Sequence, residues 1–98
     1  MPTLFEYLGI IISFYSHEHD PIHIHADYGN SSVKVSFFIK EGKIYRITYT
    51  PIKGKFPEAK MKDLKKFIGE YKYEIIEKWT EFFTWNIKIK TTRITKKL

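Results

Sequence analysis

Ninety-eight residues, 43 % hydrophobic and 17 % aromatic with a net charge of +6, fit one small domain with a modest core. The absence of cysteine excludes disulfides, thiolate metal ligands and a cysteine nucleophile. No run approaches the ~20 apolar residues that cross a bilayer. The first apolar run, Leu8 to Ile12, follows Glu6 rather than a basic residue, unlike a targeting signal, so a soluble cytoplasmic protein without a membrane partner is expected.

Gly9 to Tyr15 is apolar and β-branched and predicts a first strand, followed by a turn over Ser16 to Pro21. Ile22 to Tyr28 alternates, with Ile22, Ile24, Ala26 and Tyr28 on one face and His23, His25 and Asp27 on the other. Ser32 to Ile39 alternates too, its apolar side formed by Val33, Val35, Phe37 and Ile39. A two-residue Gly29-Asn30 loop then pairs Ala26 with Val33, Ile24 with Val35 and Ile22 with Phe37, because a one-residue slip would put one apolar set in water. The same register sets His25 opposite Lys34 and His23 opposite Ser36. For the next strand, Ile44 to Thr50, a two-residue Glu41-Gly42 loop would set Arg46 opposite the buried Phe37. The preferred alternative is a three-residue loop aligning Phe37 with Tyr45, Val35 with Ile47 and Val33 with Tyr49.

Pro51 to Phe56 reads as a loop, and Pro57 suits the first turn of a helix. Met61, Leu64, Ile68, Tyr71, Ile75, Trp79 and Phe82 recur at steps of three or four, widened by Phe67, Ile76 and Phe83. That is one amphipathic stripe fit to cover a sheet face. Gly69 interrupts it at a cost of about 1 kcal/mol against alanine, so two helices meeting there compete with one. Asn86 to Ile94 alternates again and reads as an edge strand or tail. The expectation is an α+β fold of one domain: an antiparallel sheet of four to five strands over residues 9–50, a helical region over 57–84, and a basic strand or tail over 86–98.

Residues 1–81 carry 12 Lys/Arg against 11 Asp/Glu, whereas Lys88, Lys90, Arg93, Lys96 and Lys97 follow with no acid. The basic character therefore belongs to the tail, which suits a phosphate backbone, RNA or DNA, or an acidic partner, and equally a merely solubilising end. Lys60, Lys62, Lys65 and Lys66, interleaved with Asp63, read as a solvated helix face. Trp79, Phe82, Phe83 and Trp85 offer base-stacking rings, but helical spacing assigns the first three to the core.

All four histidines fall between His17 and His25. His23 and His25, two apart on a strand, point the same way with Cα atoms roughly 7 Å apart. That permits a shared divalent metal, with a third ligand from His17, His19, Asp20, Asp27 or a second chain. It equally permits acid–base chemistry on a phosphate, with Lys34 as the cation and Tyr15, Tyr28 and Arg46 in support. The structural reading, histidines pinning a Pro-bearing turn to the sheet, carries equal weight.

Three segments together carry a resemblance: Met1 to Phe5, Phe14 to His25, and Glu77 to Phe83. They resemble the bacterial domain-of-unknown-function family 4160, whose pattern runs tyrosine-serine-x-glutamate-histidine, one or two prolines, histidine-x-histidine, and later tryptophan before glutamate and aromatics. The match covers Glu18, His19, Pro21, His23 and His25; it omits His17, and Ile22 stands where a second proline is usual. The resemblance implies a small α+β protein forming the toxin half of a toxin–antitoxin pair, with a cognate antitoxin-like partner. It assigns no reaction and requires no cofactor. The expected centre is thus His19, His23 and His25 with Glu18 orienting one imidazole, and Lys34, Arg46, Lys88, Lys90 and Arg93 on phosphate. The alternatives are a binding module without turnover and a protein that holds a metal at His23 and His25.

Overall fold

A computed structural model describes residues 3–14, 22–85, 91–95 and 97–98, excepting the side chains of Thr84 and Trp85. Its strands are β1 (Thr3–Tyr7), β2 (Ile10–Phe14), β3 (Ile22–Tyr28), β4 (Ser31–Lys40), β5 (Lys43–Lys53) and β6 (Thr92–Ile94), with one helix, α1 (Glu58–Trp85), between the last two. The six strands form a single sheet in the order β5-β4-β3-β2-β1-β6. All neighbours are antiparallel except β1 and β6, which are parallel. The fold is therefore α+β with a mixed sheet of six strands, against the antiparallel four to five expected, and of the one-helix and two-helix alternatives it has the single helix.

The extra strand is β1. Its turn into β2 uses Leu8 (φ 48°) and Gly9 (φ 85°), both left-handed, which closes a two-residue hairpin. Leucine pays a steric cost in that region and gives no turn signal, so Leu8 reads as the start of an apolar strand. Parallel pairing with β6 needs a long crossover, and α1 supplies it. Thr91 Oγ1 donates to the Thr3 carbonyl at 2.9 Å, and the Leu98 amide donates to Tyr7 Oη at 2.9 Å. The expected strand over residues 86–94 is realised as β6; residues 86–90 lie outside those described.

The β3–β4 register is the expected one, with Ala26 opposite Val33, Ile24 opposite Val35, Ile22 opposite Phe37, His25 opposite Lys34 and His23 opposite Ser36. The β4–β5 register differs from both sequence readings. The two-residue loop is used, with Lys40 opposite Lys43 and positive φ at Glu41 (52°) and Gly42 (77°). A bulge at Tyr45 then shifts the pairing by one, so Phe38 faces Arg46, Phe37 faces Ile47 and Val35 faces Tyr49. The extra residue restores the apolar phase that the short turn alone would lose. Farther along, Pro51 sits opposite Val33 on the outer strand of the sheet, where a residue without an N–H is tolerated.

The core lies between α1 and one sheet face. Ile10, Ile12, Phe14, Ile24, Val35 and Phe37 on the sheet meet Leu64, Phe67, Ile68 and Ile75 on the helix, all essentially inaccessible. Each such side chain contributes about 1.5–3 kcal/mol relative to exposure. Aromatic contacts extend the seam: Phe67 lies 5.2 Å from Phe5, 5.3 Å from Tyr7 and 4.8 Å from Tyr71, while Phe14 lies 5.3 Å from Phe82 and 5.2 Å from Phe83. Gly69 is on the exposed side of α1, and a Cβ there would meet nothing within 4 Å. Lys62, Lys65 and Lys66 are exposed as expected, but Lys60 and Lys78 bind the sheet. Lys60 Nζ donates to the Leu8 carbonyl at 2.7 Å and sits 4.9 Å from the Tyr28 ring centre; Lys78 Nζ sits 4.5 Å from that of Phe5. No helix among the described residues is long and apolar enough to cross a membrane.

Candidate functional site

Strand alternation puts a polar surface on the sheet face turned away from α1. One row across the strands reads Ser13, His25, Lys34 and Thr50, and the next reads His23, Ser36 and Thr48. On the far side of the first row lie Ile11, Asp27 and Ser32. Among the described residues the buried polar side chains are His23 (6 % exposed), His25 (8 %) and Ser36 (4 %), and all three belong to this patch. Little of either histidine remains accessible.

The imidazole centres of His23 and His25 are 6.4 Å apart, with ring planes at 42°. Burial holds the His25 pKa below the ordinary histidine value; His23 and Lys34 act in the same direction, and Asp27 opposes them. His25 is therefore neutral at neutral pH and able to accept a proton. Ser32 Oγ donates to Asp27 Oδ1, which orients that carboxylate along the sheet. As a metal centre the pair supplies two of the three or four donors required, and among the described residues no group of three His, Asp or Glu is arranged to complete it.

Lys34 is brought beside His25 as the register required. Arg46 shares the polar face but lies two strands from His23, with its guanidinium 5.7 Å from the Phe38 ring centre. Arg93 is on β6, three strands from β3, and is ion-paired to Glu6 at 2.9 Å, so it does not join the patch. Tyr28 lies on the helix side, 6.2 Å from Phe56, and cannot support the histidines. Trp79 is buried, and Phe82 and Phe83 pack on the core. His17, Glu18, His19, Asp20, Tyr15, Lys88 and Lys90 lie outside the described residues.

From sequence, Ser13 and Phe38 carry no functional signal, and Ser36 and Tyr45 appear only as pairing partners. Ser13 follows from pairing β2 with β3, which the turn-rich connection concealed. The neighbourhood of Phe38, Tyr45 and Arg46 depends on the bulge, which leaves no residue-type signature here. Two open clefts lie elsewhere, one of about 400 Å³ against Glu6, Leu8 and Arg93, the other of about 530 Å³ along Met61, Lys62 and Lys65. Neither is lined by the histidines.

The architecture and the patch define a small α+β protein with a histidine-bearing sheet face. The chain belongs to the family described as Domain of unknown function (DUF4160), whose model matches residues 9–80. The matched stretch contains the segment from Phe14 to His25 and reaches Thr80 in α1, while the opening Met1 to Phe5 precedes it. No curated protein and no solved structure matches the chain.

Proposed function

We propose that this protein is a bacterial, cytoplasmic, toxin-like component that cleaves RNA without a metal and is held in check by a small antitoxin-like partner. The observation that carries the reading is the juxtaposition of His23 and His25, 6.4 Å apart and nearly buried, with Lys34 paired to His25. Cleavage of RNA at a phosphodiester needs a base, an acid and a cation at that scale. His25, kept neutral by burial, takes the proton of a 2′-hydroxyl, and the oxygen attacks the adjacent phosphorus. The bond from phosphorus to the 5′ oxygen breaks, and His23 gives that oxygen a proton. The products are a 2′,3′-cyclic phosphate and a 5′-hydroxyl; proton exchange with water resets the pair. The Lys34 ammonium balances charge on the non-bridging oxygens. Glu18 and His19 enter through the family motif, Glu18 as the orienting carboxylate, and Lys88 and Lys90 extend the phosphate contact along the tail, whereas Arg93 is held by Glu6.

Expressing wild type and His23→Ala/His25→Ala from an inducible promoter tests the centre. Growth arrest with wild type and its loss in the double variant are expected, together with cyclic-phosphate ends from the purified enzyme. Lys34→Gln should slow cleavage by about 10²–10³-fold, the cost of losing one charge-stabilising donor. A double variant as inhibitory as wild type refutes the centre. The second reading, a regulatory module that binds without turnover, draws on β5, an outer strand carrying Lys43, Arg46 and Lys53 and no acid. Salt-dependent binding with no cleavage would establish it instead.

A further inference from the structure

Beside the histidine patch the polar face changes character. Phe38 belongs to that face, lies outside the core and is only partly covered. The bulge in β5 places the ring of Tyr45, 65 % exposed, 6.4 Å from the Phe38 ring, and the Arg46 guanidinium 5.7 Å from the Phe38 centre. Two rings and a planar cation thus cluster at the surface without contributing to the helix-packed core. Phe38 is the diagonal neighbour of His23, because His23 pairs with Ser36 two residues earlier on β4. Such diagonal neighbours lie ~7–8 Å apart, within the reach of one nucleotide. Residues 31–53 carry five basic side chains and one acid, so the surroundings favour a phosphate backbone.

We propose that Phe38, Tyr45 and Arg46 form a stacking subsite for an unpaired base of single-stranded RNA, next to the phosphate position at His23 and His25. The inference rests on the RNA reading above and names its substrate form. Aromatic rings and guanidinium planes receive bases only when those bases are unstacked from a duplex. A duplex would present its backbone to this surface and leave the rings without a ligand. Sequence tolerance follows, since every base has a π face.

The test uses the full chain and a labelled single-stranded oligonucleotide with 2′-fluoro at every position, which has no attacking hydroxyl and is not cleaved. Fluorescence anisotropy should show single strand bound at least tenfold more tightly than the matching duplex. Phe38→Leu and Tyr45→Leu should each weaken single-strand binding about tenfold with little change in salt dependence. Arg46→Lys, which keeps the charge and loses the planar surface, should weaken it several-fold and serves as the variant least able to disturb folding. Unchanged affinity across the three variants overturns the subsite, as does equal affinity for duplex. Competition by a polyglutamate peptide that Phe38→Leu does not alter would mark the surface as a protein-docking site and also overturn it. Anisotropy on the uncleavable strand reads the subsite and cyclic-phosphate ends from unmodified RNA read the reaction, so binding and cleavage fail separately.

Discussion

Replacing Gly69 by alanine separates the one-helix structure from a chain broken at that position. Gly69 lies within α1, is exposed, and is absent from the glycines with positive φ. A Cβ at this position would meet nothing within 4 Å. Alanine therefore gains the full helix-propensity difference, about 0.8–1.0 kcal/mol, with no packing penalty. For a domain of this size 1 kcal/mol corresponds to roughly 4–8 °C in Tm, so an increase of about 4 °C is expected. Thermal melts followed by circular dichroism at 222 nm, at pH 7 and fixed salt, read the shift. If two helices met at Gly69, the glycine would serve as a left-handed cap, and alanine would strain it. An unchanged or lower Tm refutes the reasoning.

Phe67→Ala should cost about 3–5 kcal/mol, because the ring is fully buried against Phe5, Tyr7 and Tyr71. Urea unfolding gives that number, and a loss below 1 kcal/mol would mean the seam between β1 and α1 is not packed as described. Acid should weaken the fold through His25. Its pKa is lowered on folding, so below about pH 6.5 the unfolded chain takes up a proton that the folded chain resists. Stability from this group is intact above that pH and declines as pH falls toward the folded value, by at most about 1.4 kcal/mol per pH unit. His23, Asp27 and Lys34 surround the imidazole and remain in His25→Gln. Urea midpoints at pH 7.5 and 5.5 should therefore converge in His25→Gln relative to wild type, and an undiminished gap would remove His25 as the cause.

Alternation made β3 and β4 legible, because apolar residues hold one face of each strand and mostly polar residues the other. Ile24, Ala26, Val33 and Val35 leave one register that keeps apolar groups together, and it is the register found. The same register sets His25 beside Lys34. β5 was harder, since Tyr45 belongs to neither phase of the alternation and a bulge spends one residue with no partner. β1 was missed for a local reason: a left-handed Leu8 carries none of the Gly, Asn or Asp usual at such turns. Of the two alternatives left open at Gly69, the single helix holds because Leu64, Phe67, Ile68 and Ile75 pack on the sheet on both sides of it, and that outweighs a propensity deficit of ~1 kcal/mol. Assigning chemistry to the histidines needed the depth of the patch, which periodicity cannot provide: alternation tells which way a side chain points and not how far water follows it.

The two borders of the sheet have a bearing on how the molecule behaves at high concentration. An open border strand is a template on which other chains add, the first step toward fibrils. On one side that strand is β6, three residues long, with Arg93 locked to Glu6. On the other it is β5, where the bulge at Tyr45 bends the strand and Pro51 removes a hydrogen-bond donor. Between these defects only a few residues run straight, too short a template for an incoming strand to lengthen into a shared sheet. The irregularity that sets Tyr45 beside Phe38 therefore also blunts this border as a template for further strands.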